Sequence, residues 1–172
     1  PCIPPGDGPG AEVLRGIGGA LLRAVRLASP ALAPATAQTE TVVTLSTNQG
    51  DILLRLFPEI APEHVKNFLA HCESGFYTGC TWHRVIPGFM IQSGDPLSKD
   101  DNPANDGQGG HAYKGPGSTI AAEFSKKLHL RGTLSMARKG GQPDSAGSQF
   151  FICLEKKNHL NGEYTIFGEL ID

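Results

Sequence analysis

From Thr41 onward apolar and polar residues take turns along the chain. Residues 41–47 and 51–57 each alternate, with Val43 and Leu45 in one stretch, Ile52, Leu54 and Leu56 in the other, and Asn48-Gln49-Gly50 between them. A period of two sends successive side chains to opposite faces, so this stretch predicts a β-hairpin with one buried face. The period then changes. Pro62 suits the first turn of a helix, Val65, Phe68, Leu69 and Cys72 recur at i, i+3, i+4 and i+7, and Gly75 is placed to end it. The apolar stripe of that helix is expected to plug one end of a sheet. Further short strands are predicted at 81–86, 89–93, 132–137, 149–154 and 164–169, separated by loops rich in Gly, Pro and Asp. Many short strands with few helices make the expected fold mainly β, a closed or nearly closed barrel with a capping helix.

Residues 1–40 break the pattern, which divides the chain into an N-terminal extension, 1–40, and one domain, 41–172. Residues 1–10 are rich in Pro and Gly and residues 30–38 in Ala, Pro and Thr, compositions of a disordered or linker-like chain. Between them Leu14, Ile17, Leu21, Ala24, Val25 and Ala28 fall at helical spacing, with Arg15, Arg23 and Arg26 as cations, so a helix is expected over 11–28. A disordered extension and a targeting segment both fit. Ala35-Thr36-Ala37 resembles a small-residue cleavage site, yet Arg23 and Arg26 interrupt the apolar region that a secretory signal requires, and an Arg-rich amphipathic helix also suits organelle import. The compartment is therefore left open, the cytoplasm being the default.

Composition narrows the function classes. The 172 residues are 39% hydrophobic, enough for one domain with a real core. Net charge is −2 with acids and bases interspersed, so the basic stripe of a nucleic-acid binder is missing. Nothing in the pattern asks for more than a monomer. Cys2, Cys72, Cys80 and Cys153 show no CxxC spacing and are expected to be buried, inert thiols. No apolar run approaches the roughly 18 residues of a membrane span.

Two loops are long for a compact domain: 94–119, with five glycines between Gly107 and Gly117, and 138–148, with Gly140-Gly141 and Pro143-Asp144. Long Gly-rich loops are more often functional than not. Neither contains a phosphate-cradling motif, His83, His111 and His129 lack metal-ligand spacing, and Ser148 and Cys80 lack a nucleophile's setting, so no metal and no cofactor is expected. What remains is Trp82-His83-Arg84-Val85-Ile86-Pro87-Gly88-Phe89-Met90-Ile91-Gln92, a permanent cation beside apolar residues and an amide. That set suits a reaction in which no group is transferred. Rotation about an X-Pro bond is one: its barrier of about 18–20 kcal/mol comes from amide resonance alone. In the twisted state the prolyl nitrogen is pyramidal and basic, so a guanidinium such as Arg84 can donate to it, and a dry pocket strengthens the contact. Phe89, Met90, Phe151 and Leu160 are candidates for that pocket and Gln92 for holding the neighbouring carbonyl; plain core packing is the competing reading of the hydrophobes.

The stretch 82–92, then Leu134-Ser135-Met136-Ala137, then Gly147-Ser148-Gln149-Phe150-Phe151-Ile152, resemble in order and spacing the three signature stretches of the cyclophilins, the cyclosporin-binding peptidyl-prolyl isomerases. The resemblance runs from about Thr41 to Asp172. It implies an antiparallel eight-stranded barrel capped by helices, an isomerase that assists folding, and proline-containing peptides and unfolded chains as partners. It implies Arg84, Gln92 and Phe89 as catalytic residues, with Met90, Ala137, Arg138, Phe151, His159, Leu160 and Tyr164 as substrate contacts. A proline-peptide-binding chaperone or scaffold with negligible turnover is the alternative. His159 and Tyr164 depart from the Trp and His of many eukaryotic members and resemble bacterial-type cyclophilins; weak cyclosporin binding is expected, because a lost indole removes an aromatic anchor. Arg138 stands where the family often has Asn, and an acidic preference in the neighbouring substrate residue is expected from it. Glu169-Leu170-Ile171-Asp172 ends short of the family's last helix and strand, so the barrel is expected to be incomplete there.

Overall fold

The computed structural model describes residues 21–25, by their backbone, and residues 40–171. Eight antiparallel strands make one curled sheet: β1 (Leu21–Val25), β2 (Thr41–Thr47), β3 (Gly50–Leu56), β4 (Arg84–Ile86), β5 (Met90–Ser93), β6 (Thr133–Met136), β7 (Phe150–Cys153) and β8 (Ile166–Ile171). Their order is β1-β2-β3-β8-β6-β7-β5-β4. Among the described residues the architecture is mainly β, a half-barrel with one α-helix, α1 (Pro62–Glu73). Among the described residues β1 and β4 are the end strands and do not pair with each other, so the barrel stays open. No helix of the described residues is long and apolar enough to cross a membrane.

The predicted hairpin forms with Val43 opposite Leu54 and Leu45 opposite Ile52. Val43, Leu45 and Leu54 are fully buried, while Thr44 and Leu53, the pair between them, are not. Gly50 closes the turn at φ +124°, a backbone that residues with a Cβ rarely adopt. Helix α1 starts at Pro62 and stops before Gly75, as its stripe predicts, and Phe68 is the plug: its ring lies 5.2–5.4 Å from those of Phe150, Phe167 and Tyr77. Ala61 offers no capping side chain. Glu123, from a distant loop, does so instead, accepting from the backbone N–H groups of Glu63 at 3.2 Å and His64 at 3.0 Å and from His64 Nδ1 at 2.7 Å. A carboxylate there also faces the positive end of the helix dipole.

Two expectations are corrected. Of the helix expected over 11–28, only Leu21–Val25 lie within the described residues, and they form a strand pairing Leu21 with Ser46 and Val25 with Val42. The edge of β2 offers a row of unsatisfied backbone donors and acceptors, and pairing with it outweighs a weak local helical preference. The strand expected over 81–86 is confined to 84–86, because Thr81 turns away: its N–H is bonded to Ser98 Oγ and its carbonyl to Ser93 Oγ. The cysteine expectation holds where it is described. Cys72, Cys80 and Cys153 are buried and free, and burial pushes the thiols of Cys80 and Cys153 up to about 11.

Three histidines, His64, His71 and His129, are buried, and desolvation holds each below the ordinary value of 6.5. The unfolded chain therefore binds more protons than the folded one once the pH drops below 6.5. Their contribution is intact above that point and is lost as the pH falls toward the depressed folded values, at up to about 1.4 kcal/mol per pH unit for each histidine. Denaturant unfolding at pH 7.5 and 5.5 should show this loss, and His64→Gln should make the slope shallower; a stability that is flat over that interval would contradict it.

Candidate active site

The central strands are apolar on both faces, and their alternation produces two clusters. Ile91, Leu134, Met136, Phe150 and Ile152 point into the barrel. Met90, Phe151 and Cys153 point outward, where Leu160 covers them with Ile86, Phe89, Ala137 and Tyr164 around the edge. Register then aligns the chemistry. Arg84 on β4 is opposite Gln92 on β5, Gln92 is opposite Phe151 on β7, and Phe151 is opposite Ser135 on β6.

A cavity of about 120 Å³ opens on this row, lined by Arg84, Phe89, Met90, Gln92, Ala137, Arg138, Phe151, Leu160 and Tyr164. Nine of the ten residues singled out from the sequence are thus brought together. The tenth, His159, is exposed and does not line the cavity; its ring is tilted against Phe89 at 5.8 Å. The floor is apolar, with Met90, Phe151 and Leu160 at most 5% exposed. The guanidinium of Arg84 stands at the rim on the exposed end strand, and among the described residues no carboxylate lies within ion-pair reach of it. Its donors are available to whatever occupies the cavity. A second cavity, about 230 Å³, adjoins the first through Gln92, Ala137 and Arg138 and runs between loop residues 107–110 and 145–149.

Several residues that hold this arrangement were not singled out from the sequence. Gln149 Nε2 donates to the carbonyls of Gly109 at 2.7 Å and Gly107 at 3.0 Å, which leaves its Oε1 to accept from Gln92 Nε2 at 2.8 Å. The amide of Gln92 is thereby oriented, and the Gly-rich loop is tied to the strand carrying Phe151. Asp95, fully buried, folds that loop back by accepting from the N–H groups of Leu97 and Gly109. Gly94 starts it at φ +89°, and a Cβ there would collide with the carbonyl oxygen of Ser148. Behind Phe151, the ring of His129 stacks at 6.2 Å and 14°. Asn161 Oδ1 accepts from both the backbone N–H and Nδ1 of His129, while Nε2 lies 3.1 Å from Ser135 Oγ. The glycines of the 94–119 loop, and the places of Ser135 and Gln149 within the stretches 134–137 and 147–152, were the sequence signals for this layer. The ties made by Gln149 and Asn161 join residues 32 to 57 positions apart, which no local pattern reveals.

Gln149→Leu keeps the volume and removes every one of those bonds, leaving two carbonyls and the Gln92 amide without their partner. The expected cost is about 1–3 kcal/mol of stability, with the Gln92 side-chain amide signals in an NMR spectrum shifting toward those of a free side chain. Unchanged signals would show that Gln149 does not orient Gln92.

Comparison with known proteins bears on the same region. Residues 42–172 match the family model described as cyclophilin type peptidyl-prolyl cis-trans isomerase/CLD. Peptidyl-prolyl cis-trans isomerase-like 3 of Gallus gallus is 46% identical over 132 residues, covering 76% of this chain and 75% of the relative. A probable peptidyl-prolyl cis-trans isomerase of Brucella suis is 42% identical over 139 residues, 78% of this chain and 68% of its own. A solved Cryptosporidium parvum cyclophilin type peptidyl-prolyl cis-trans isomerase, crystallised in the presence of the dipeptide Ala-Pro, superposes with a TM-score of 0.69 at 41% identity over 77% of this chain and 79% of that one. By its strand order, by the outward row of Arg84, Gln92 and Phe151, and by these matches, the chain belongs to the cyclophilin-type peptidyl-prolyl cis-trans isomerases.

Proposed function

We propose that this chain rotates X-Pro bonds in exposed or unfolded chain segments by non-covalent electrostatic stabilisation of the twisted amide, with Arg84 as the donor. The observation that carries this reading is the cavity of about 120 Å³ with an apolar floor, a guanidinium on its rim that has no ion-pair partner among the described residues, and an oriented amide beside it. The prolyl ring enters between Phe89, Met90, Phe151 and Leu160, where burying its methylenes holds the substrate. Rotation takes the nitrogen lone pair out of conjugation, and the lone pair becomes a hydrogen-bond acceptor only as the transition state is approached. Arg84 then donates to it. An interaction made only in the twisted state lowers the barrier without tightening ground-state binding. Gln92 holds the carbonyl next to the bond with the N–H that Gln149 leaves free, so one half of the amide is fixed while the other turns. The chemistry of a guanidinium fits a fixed donor and not a general base.

A Cryptosporidium relative crystallised with Ala-Pro supports proline peptides as the ligand class. Cyclosporin is expected to bind weakly, since His159 is a smaller and wetter surface than an indole.

The test is cis/trans exchange of an Ala-Pro-Phe type peptide by NMR, with wild type, Arg84→Lys and Arg84→Ala compared at equal folded concentration. Arg84→Ala is expected to lose about 10²–10³ in kcat with peptide affinity little changed. Arg84→Lys should fall between the two, because one ammonium supplies the charge without the planar fork. Peptide binding by a folded wild type with no acceleration of exchange would replace the isomerase by a proline-peptide-binding module.

A further inference from the structure

Arg138 follows the groove residue Ala137 and bridges the stretch leaving β6 and the turn 160–164 that leads into β8, just past the last backbone bond between them, from Met136 N–H to the Thr165 carbonyl at 2.9 Å. Each of its three side-chain nitrogens donates to one segment or the other. Nε donates to the Glu163 carbonyl at 2.9 Å, Nη2 to Glu163 Oε2 at 3.0 Å, and Nη1 to the Lys139 carbonyl at 3.1 Å. The flat face of the guanidinium covers the ring of Tyr164, with the central carbon 4.5 Å from the centroid. The edge of that ring meets Phe151 at 5.6 Å and 84°. The Arg138 side chain is only 10% exposed, whereas Glu163 is 63% exposed.

We infer that Arg138 is a positioning residue for the isomerase site: it clamps Tyr164 against Phe151 as a wall of the proline cavity and does not read the charge of the substrate. This rests on the isomerase reading given above. The geometry separates the two roles. A cation that selects acidic substrates needs free donors turned to the groove and no neutralising partner. Arg138 has three directed bonds to protein oxygens, a carboxylate 3.0 Å away, and an aromatic ring over its face. The acidic preference expected from the sequence is therefore withdrawn. The clamp has a mechanical consequence. Tyr164 is half-buried and sits at the end of a turn, held by backbone bonds from Glu163 and Tyr164 to the Leu160 carbonyl at 3.1 and 3.2 Å. Without Arg138 the turn keeps its bonds through Asn161 to His129 and through the Thr165 carbonyl to Met136 N–H, but the Tyr164 ring keeps only the Phe151 edge contact and its packing against the apolar cluster. The ring is then free to leave the wall, the cavity widens, and the proline is held less firmly while Arg84 and Gln92 stay where their strands put them.

The experiment measures KM and kcat by peptide exchange for wild type, Arg138→Gln, Arg138→Lys, Glu163→Gln and the Arg138→Gln/Glu163→Gln double variant. Peptides carry Glu, Ala or Lys before the proline, and the Tyr164 ring resonances are followed by NMR. Arg138→Gln is expected to raise KM about tenfold for all three peptides alike, with kcat changed by less than about threefold, and to shift and broaden the Tyr164 signals. Arg138→Lys should not rescue, because a single ammonium cannot make three directed bonds and cover a ring. Glu163→Gln removes the charge from one contact at an exposed position and should raise KM about twofold, adding nothing further in the double variant. A wild-type preference for Glu over Lys that disappears in Arg138→Gln would overturn the inference, and so would unchanged KM and Tyr164 signals. If Arg138→Gln does not fold, Glu163→Gln and Arg138→Lys decide by the same readouts. A folded wild type that accelerates no peptide would instead remove the isomerase reading, and the Tyr164 signals in the variants would still test the clamp.

Discussion

One row of paired positions across four strands holds the site together. Arg84, Gln92, Phe151 and Ser135 are directly opposite one another on β4, β5, β7 and β6. Because side chains alternate along a strand, these four point to the outer face of the half-barrel, and a slip of one residue in any ladder would send one of them into the core. The inner residues prevent the slip: Leu134, Met136 and Phe150 are at most 2% exposed, and moving them outward would lose their burial. The stability of the core thus fixes the geometry of the chemistry. Cation, amide and apolar floor are held at ladder spacing by backbone hydrogen bonds rather than by a flexible loop.

The outer face needs support that the ladders do not give. Met90, Phe151 and Leu160 form a small second core, and its walls arrive from three directions. Gln149 ties the 107–110 loop to Gln92, His129 stacks behind Phe151, and Arg138 ties the 160–164 turn to the chain leaving β6. Each tie is a polar group that is partly or wholly buried and satisfied, so each is costly to break and each fixes one wall. Such an arrangement suits a reaction in which nothing is transferred. The work proposed for it is to hold one end of an amide still while the other end turns beside a fixed donor.

The parts of this design that were legible in the sequence are those governed by local period. Val43, Leu45 and Leu54 announced the hairpin, Pro62 and Gly75 bounded the helix, and the 82–92 stretch carried cation, floor and amide on two adjacent strands. The rest depended on partners far along the chain. Glu123 as the cap of α1, Gln149 as the orienter of Gln92, and Glu163 as the anion beside Arg138 are ordinary polar residues until the fold brings them to their partners. Arg138 itself was noticed, but its role could not be judged from its charge, because the groups that neutralise and cover it lie 25 and 26 positions away. Leu21–Val25 misled in another way. Their spacing favours a helix locally, and the open edge of β2 decides otherwise.

The central claim is that a permanently charged donor acts on the prolyl nitrogen and that no proton is transferred. The most direct measurement is the exchange rate of a saturating X-Pro peptide in H₂O and D₂O across pH 7 to 9, above the ordinary histidine value of 6.5, below which desolvation holds the buried histidines. The account predicts a rate that is flat across the interval and a solvent isotope effect of about one. A rate that follows a titration in this range, or an isotope effect of about two or more, would mean that a proton moves in the rate-limiting step and would contradict it.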